Sequence, residues 1–358
     1  MEKNFTKDGL ILLNKSKGVS SFGAINHLKK VMKAKKVGHA GTLDPMAEGL
    51  MIVMINEATK FSDNLMKKDK EYYVEMELGY KTDTYDLEGT VIAKYDSEIN
   101  ISDSEIIQAV NSFKGKIKQV PPMYSAIKIE GQKLYDLARK GIEVERAERN
   151  VEISEIREIK IVRPDKNSEN AQNIKISFYA KVSSGTYIRS LVYDIGEKLG
   201  VFATMTRLVR TKIGRFEIED AITLEKAKAE IDKLKNLMEG KTENESFWAT
   251  KNDSAIRAEK IREIVCFVEI EYVLDYYGIN VSNVKYGKLK NGMTVIDTFK
   301  KFENISKEAS KGANVRENQK FKIYVRNKNT NAREFKGIVK IVNIRGDRIY
   351  LKRDKYFL

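Results

Sequence analysis

Residues Leu50–Ile55 read LMIVMI, six apolar side chains in a row. A strand of that kind offers no face to water and is expected to be buried. Gly9–Asn14 (GLILLN), a second short apolar run bounded by turn residues, reads the same way. Between them, Ser20 or Ser21 caps a predicted helix running to about Lys36, with Ile25, Leu28 and Val31 or Met32 on one face. His27 on that helix is assigned to the surface.

The segment joining this helix to the buried strand is Gly38–Gly49, GHAGTLDPMAEG. Its only carboxylates are Asp44 and, near its end, Glu48. Gly38, Gly41 and Gly49 free the backbone, while Pro45 fixes φ just after Asp44 and biases Asp44 toward extended geometry. A carboxylate held stiffly in a glycine-rich loop suits nucleophilic or general-base chemistry. Asp-Pro and glycine are also ordinary turn signals, so the loop alone leaves a plain turn open.

Downstream, Tyr72, Val74, Met76 and Leu78 alternate with polar residues, which predicts a half-buried strand with Tyr72 facing inward. Lys81–Gly89 reads as a polar loop, 102–113 as a helix and 173–182 as another alternating strand. In 124–143, Tyr124, Lys128, Lys133, Tyr135, Arg139 and Lys140 interleave charge with aromatic rings, a pattern suited to looped or single-stranded nucleic acid and equally to a solvated surface. SSGTYIR (Ser183–Arg189) turns into a helix that puts Arg189 in its first turn. A cation there opposes the helix dipole and calls for a carboxylate or an anionic ligand. Arg207–Arg210 begins another short element. Leu237–Lys260 reads as a linker, and beyond it Tyr286–Met293, Phe321–Arg326, Phe335–Ile344 and Arg348–Leu351 read as strands of a small β-rich module interrupted by a polar insertion at Lys300–Asn318.

The 358 residues include two histidines, His27 and His39, and one cysteine, Cys266, which argues against a Cys/His zinc site and excludes an internal disulfide. No apolar run has transmembrane length and no signal-peptide pattern opens the chain, so a cytoplasmic protein without membrane contact is expected. The net charge of +14 points to a polyanionic partner. Residues 251–358 carry 24 Lys and Arg against 13 Asp and Glu, a net of +11 that leaves +3 for the first 250. A general lysine bias would not concentrate the excess in the last third.

Four collinear stretches resemble the bacterial tRNA pseudouridine-55 synthase family, commonly called TruB: GHAGTLDPMAEGLMIV, KEYYVEMELGYKTDTYDLEG, PPMYSAIKIEGQKLYDLARKGIEV and SSGTYIRSLVYDIGEKLG. The resemblance covers residues 8–215; residues 270–358 look, more weakly, like the PUA module that often follows that catalytic domain. Asn14-Lys15-Ser16 departs from the family's usual Asp-Lys-Pro. The resemblance implies an α+β fold: a catalytic domain over 1–237 with a mixed, mainly antiparallel sheet flanked by helices, a linker over 238–269, and a β-rich PUA-like domain over 270–358. It implies isomerisation of the T-loop uridine at tRNA position 55 to pseudouridine, by base flipping, without guide RNA, metal or organic cofactor. The expected partner is the T arm and T loop of tRNA, and the expected state is a monomer without an obligatory protein partner. Asp44 becomes the catalytic carboxylate, Arg189 its ion-pair partner, and Tyr72 the residue stacking on the flipped base. His39 fills the gap the base leaves, Leu208 lines the uracil pocket, Tyr187 packs it and Asp86 contacts RNA. Lys128, Lys133 and Arg139 belong to an RNA-gripping insertion at 124–150. A guide-RNA-dependent synthase of the archaeal and eukaryotic type, a non-catalytic tRNA-binding or folding protein, and a ribonucleoside hydrolase share parts of this pattern.

Overall fold

The apolar run Leu50–Ile55 becomes most of strand β3 (Glu48–Ile55), in which every residue after Glu48 is buried. This is the burial expected of a strand covered on both faces. The computed structural model describes residues 8–129, 131–164, 174–239, 267–269, 271, 276–298, 302, 315–327 and 329–357. The chain divides into two units, one made chiefly of 11–55 and 61–267, the other of 8–10, 56–60 and 268–358.

In the first unit, β1 (Gly9–Lys15) leads to α1 (Ser21–Met32), then β2 (Val37–His39) and β3. There follow α2 (Ser62–Met66), β4 (Lys70–Leu78), the hairpin β5 (Tyr80–Thr82) and β6 (Val91–Lys94), α3 (Asp103–Asn111) and β7 (Gly115–Gln119). A small hairpin, β8 (Lys128–Ile129) and β9 (Gln132–Lys133), precedes α4 (Leu134–Ala138), β10 (Arg149–Val162) and β11 (Lys175–Val182). The unit continues with α5 (Ile188–Leu199), β12 (Ala203–Ile213), β13 (Phe216–Glu217), β14 (Ile222–Thr223) and α6 (Leu224–Glu239). The central sheet runs β14-β1-β3-β12-β4-β11-β10-β7. β1 with β14 and β3 with β12 are parallel, and the pairs from β12 through β7 are antiparallel. The sheet is thus mixed and mainly antiparallel, as expected.

The alternation read in β4 is real. Tyr72, Val74, Met76 and Leu78 are buried while Tyr73, Glu75 and Glu77 are half-buried. Ile25, Leu28 and Met32 of α1, Ile106 and Val110 of α3, and Leu191, Val192 and Ile195 of α5 join Val74, Met76 and Phe178 in one core.

Three local readings change. Helix α1 stops at Met32, because Lys33 adopts a left-handed conformation (φ 53°) and returns its N–H to the last turn. Asp44 then follows a strand, since β2 intervenes and pairs with β3. Tyr286–Met293, expected as a strand, lies mainly in a helix, Asn283–Lys290, because the Ser282 hydroxyl accepts the Lys285 N–H and starts a helical turn.

The second unit carries a five-stranded sheet in the order Tyr277–Asn280, Lys320–Arg326, Arg333–Arg345, Arg348–Phe357, Val295–Thr298. Phe302, Phe321, Ile323, Val339 and Leu351 are among its core residues. Most of the expected linker (238–269) and most of the 300–318 insertion lie outside the described residues. Among the described residues no helix is long and apolar enough to cross a membrane.

Candidate active site

β2 and β3 pair in antiparallel register (Val37↔Ile55, His39↔Val53), so residues 40–47 close a loop between two hydrogen-bonded strands. Asp44 sits in that loop, and its backbone carbonyl accepts the Ala47 N–H at 3.1 Å. Other elements hold the loop by its backbone. The buried Ser21 hydroxyl, at the start of α1, accepts the Leu43 N–H and donates to the Leu43 carbonyl, both at 2.8 Å. The Gly18 N–H donates to the Pro45 carbonyl at 2.8 Å. Lys15, 2% exposed at the end of β1, donates from Nζ to the carbonyls of Ser16 (3.0 Å), Val19 (2.7 Å) and Pro45 (3.2 Å). From β12, the buried Arg210 donates to the Leu50 carbonyl at 2.7 Å and the Gly41 carbonyl at 3.2 Å. Gly49 (φ +104°) passes so close to Arg210 that a Cβ there would lie 2.4 Å from the Arg210 carbonyl oxygen. Only glycine fits that approach and that dihedral.

Asp44 is the more open end of a polar cluster. Its Oδ2 lies 2.9 Å from Nε of Arg189; the Asp44 side chain is 35% exposed and the Arg189 side chain 5%. Arg189 is the second residue of α5, where the sequence demands an anion. The guanidinium also donates to the carbonyls of Thr84 (3.1 Å) and Tyr124 (2.7 Å). Its Nε lies 3.6 Å from Oδ2 of Asp86. The planar fork therefore meets Asp44 and two carbonyls from three separate nitrogens, with Asp86 as a longer ion pair, a geometry a point charge cannot reproduce.

Asp86 corrects an expectation. In place of the expected RNA contact, its side chain is 2% exposed and lies behind the arginine. Its Oδ1 accepts the Thr84 hydroxyl (2.6 Å) and the Glu88 N–H (3.0 Å). Burial pushes its carboxyl above the usual range, against the opposing pull of Thr84 and Arg189. Two carboxylates thus share one guanidinium, the buried one fixing it from the rear and Asp44 meeting it from the open side.

Tyr187 caps α5. Its N–H and carbonyl are both bonded by the Gln119 side-chain amide (2.8 and 3.0 Å), and burial raises its phenol above the ordinary range. The Ser190 hydroxyl donates to the Val120 carbonyl at 2.8 Å. The start of α5 is thereby fixed against the segment after β7. Tyr72 is 9% exposed and lies between Ala180 and Arg210 in the sheet. Leu208, 5% exposed, shares the same core cluster with Tyr72 and Leu43. His39, half-buried at the end of β2, has its imidazole pushed below its ordinary value by burial and by the Arg210 guanidinium, which favours the neutral ring. Arg139 is exposed and stands over the Tyr135 ring at 5.6 Å. Lys128 and Lys133 pair through their backbones in the β8–β9 hairpin; their side chains lie outside the described residues.

The structure thus brings Asp44, Arg189 and Asp86 together, with Tyr187 at the start of the helix that bears Arg189. Sequence reasoning does not single out Lys15, Ser21, Thr84 or Arg210 for this site. Lys15 carries a signal, a charge closing an apolar strand. The roles of Ser21 and Arg210 depend on bonds to distant backbone and leave no local signature.

The chain is similar to known proteins. A model of the TruB family pseudouridylate synthase N-terminal domain matches residues 29–188, and one of the tRNA pseudouridylate synthase B C-terminal domain matches 189–258. The chain is 50% identical over 212 residues to tRNA pseudouridine synthase B of Fusobacterium nucleatum subsp. nucleatum, covering 59% of this chain and 70% of that one. It is 46% identical over 291 residues to tRNA pseudouridine synthase B of Clostridium perfringens (strain 13 / Type A), covering 81% and 85%. Among solved structures it is similar in fold to a Cbf5-Nop10-Gar1 complex, with TM-score 0.61, 22% identity, and 98% of this chain and 85% of that one covered.

Proposed function

The chain belongs to the TruB family of pseudouridylate synthases, and from that premise we propose that it converts the T-loop uridine at position 55 of tRNA to pseudouridine, acting alone and without guide RNA. The observation that carries this reading is the Asp44–Arg189 pair, 2.9 Å apart at the open edge of an otherwise buried polar cluster. The reaction breaks the C1′–N1 bond and joins C1′ to C5; C5 loses a proton and N1 gains one, so the overall change is redox-neutral. It needs a charged, oriented carboxylate within reach of a flipped nucleotide. Attack on the ribose, attack on the base and removal of a ribose proton all make that demand of Asp44. Arg189 supplies the orientation, and Asp86 holds Arg189.

In this reading Tyr72 meets the flipped base, Leu208 and Tyr187 shape its pocket, and a neutral His39 replaces it in the RNA stack. Arg139, Lys128 and Lys133 grip the RNA outside the pocket. Residues 1–237 form the catalytic domain, and 270–358 form a PUA-like docking module joined by the 238–269 linker. The enzyme acts as a cytoplasmic monomer and needs no metal or organic cofactor.

The test is purified protein with an unmodified tRNA transcript and no guide RNA, following tritium release from C5-labelled uridine. Stoichiometric release from position 55 is expected. Free uracil would identify a hydrolase, and binding without release a non-catalytic RNA-binding protein. Asp44→Asn should abolish turnover while RNA affinity stays within a few-fold, because phosphate contacts dominate such interfaces. Multiple turnover by that variant would remove Asp44 from the mechanism.

A further inference from the structure

The segment that straps the catalytic loop has a second feature that its clamping role leaves unused. From Lys15 to Leu43 the chain holds seven lysines and no Asp or Glu. Residues 16–22 run alongside 43–45, tied by Gly18 N–H to the Pro45 carbonyl (2.8 Å) and by the Ser21 hydroxyl to Leu43 (2.8 Å). Ser16, Lys17, Ser20 and Phe22 of this strap are exposed; Ser20 caps α1 by accepting the Gly23 N–H, and Lys17 and Phe22 are the long side chains among them. Phe22 is 70% exposed. Every other Phe or Tyr whose burial is described is buried or half-buried.

The packing of α1 does not require a phenyl ring there. The buried face of the helix is supplied by Ser21, Ala24, Ile25, Leu28 and Met32. Lys29 and Lys30 lie in the last turn, where a cation complements the helix C-terminus and needs no ligand. Lys17 and Phe22 have no such local reason. They sit one residue beyond clamps to the two neighbours of Asp44, in a stretch free of acidic side chains.

We propose that Phe22 and Lys17 form a nucleotide-binding step beside Asp44: the ring stacks on an unpaired base flanking the flipped uridine, and the ammonium meets an adjoining phosphate. Flipping one nucleotide unstacks its neighbours, and an exposed aromatic face offers a replacement partner of a kind that RNA-binding surfaces use widely. The run of lysines without acidic residues from Lys15 to Leu43 suits a polyanion. This inference rests on the synthase reading above.

The experiment compares wild type, Phe22→Ala, Phe22→Trp and Lys17→Ala in salt titrations of affinity for an unmodified T-arm RNA, with steady-state turnover alongside. Phe22→Ala should weaken binding about tenfold at every salt concentration, the loss expected from one base–aromatic stack. The log–log salt slope should stay unchanged, and the loss should fall more on KM than on kcat. Phe22→Trp, made in a Trp248→Phe background, should restore affinity, and its emission should be quenched by RNA. Lys17→Ala should flatten the slope by about 0.7–0.9. Unchanged affinity in Phe22→Ala, or a loss that Trp does not restore, overturns the proposal. Asp44→Asn in the same assays keeps the two readings apart: its turnover would sink the synthase mechanism, whereas an inert Asp44→Asn beside a normally binding Phe22→Ala sinks only the stacking step.

Discussion

Replacing Arg189 with lysine keeps the charge and removes the fork. The guanidinium serves Asp44 (2.9 Å), Thr84 (3.1 Å) and Tyr124 (2.7 Å) at once, with Asp86 at 3.6 Å. The guanidinium meets these acceptors from three separate nitrogens, whereas an ammonium has its three donors on one atom and cannot keep all three contacts at those positions. At least one hydrogen bond from a charged donor is lost, at about 1.5–3 kcal/mol each, and a buried carbonyl is left unpaired at about 1–3 kcal/mol. A net ground-state loss of about 3 kcal/mol follows, which lowers the melting temperature by roughly 6–12 °C for a domain of this size. On the proposed role of Asp44, catalysis suffers separately, because a carboxylate that wanders loses its alignment with the reacting nucleotide. A misalignment costing about 2.7 kcal/mol in the transition state slows the step by about 100-fold. The assay is single-turnover tritium release at saturating RNA, below the variant's melting temperature, with affinity measured in parallel. Affinity should change little. A lysine variant that releases tritium within threefold of the wild-type rate would show that charge alone suffices and that the fork geometry is incidental.

Gly49→Ala should lower the denaturation free energy by about 3–5 kcal/mol, since it combines a dihedral of +104° with a Cβ 2.4 Å from the Arg210 carbonyl oxygen; an unchanged denaturant midpoint would refute the close approach. Burial holds the Lys15 and Lys70 ammonium groups down to about 8. Between about pH 8 and 10.5 the unfolded chain therefore binds more protons at these sites, and their contribution to stability rises with pH. Relative to wild type, Lys15→Met should flatten that rise in urea melts taken across the same window; parallel profiles would show that Lys15 is not held in that state. In the second unit, Lys285, Arg345 and Arg348 line a common cavity of about 490 Å³ with Asp297 and Asp347. If the basic C-terminal region grips the tRNA body, neutralising these three cations should flatten the salt dependence of full-length tRNA binding by roughly 0.7–0.9 for each phosphate no longer paired, and leave a T-arm minihelix unaffected. Equal losses on both RNAs would refute the docking role.

The sheet strands were legible wherever one rule governed them. LMIVMI and GLILLN are apolar enough to be buried regardless of context, and the alternation in β4 and β11 fixes which side of each strand faces the core. Arg189 was legible for an electrostatic reason, since a cation at a helix start needs an anion, and Asp44 meets it. The burial of Asp86 was not legible, because a charged residue in a polar loop is usually solvated. Only the fold reveals that Thr84, Glu88 N–H and Arg189 let it be buried. The Tyr286 segment misled because its apolar residues fit a strand as well as a helix, and the Ser282 cap decides. Lys15 and Arg210 escaped because their partners are backbone carbonyls, which every residue has and no sequence pattern marks.

The carbonyls of Gly41, Leu43 and Pro45 are each anchored by a side chain from outside the loop, and Arg210 also holds the Leu50 carbonyl in β3. A loop pinned at three points has little freedom to follow its substrate. On the proposed role of Asp44, the motion that brings nucleotide and carboxylate together must then be made by the RNA, and the enzyme works as a fixed die against which the nucleotide is pressed. Selectivity in such a system is written in the deformability of the substrate: transcripts whose T loops open easily should be modified faster than stiff ones carrying the same sequence around the target uridine. Heat and destabilising changes in the RNA would accelerate the reaction up to the temperature at which the pins themselves give way.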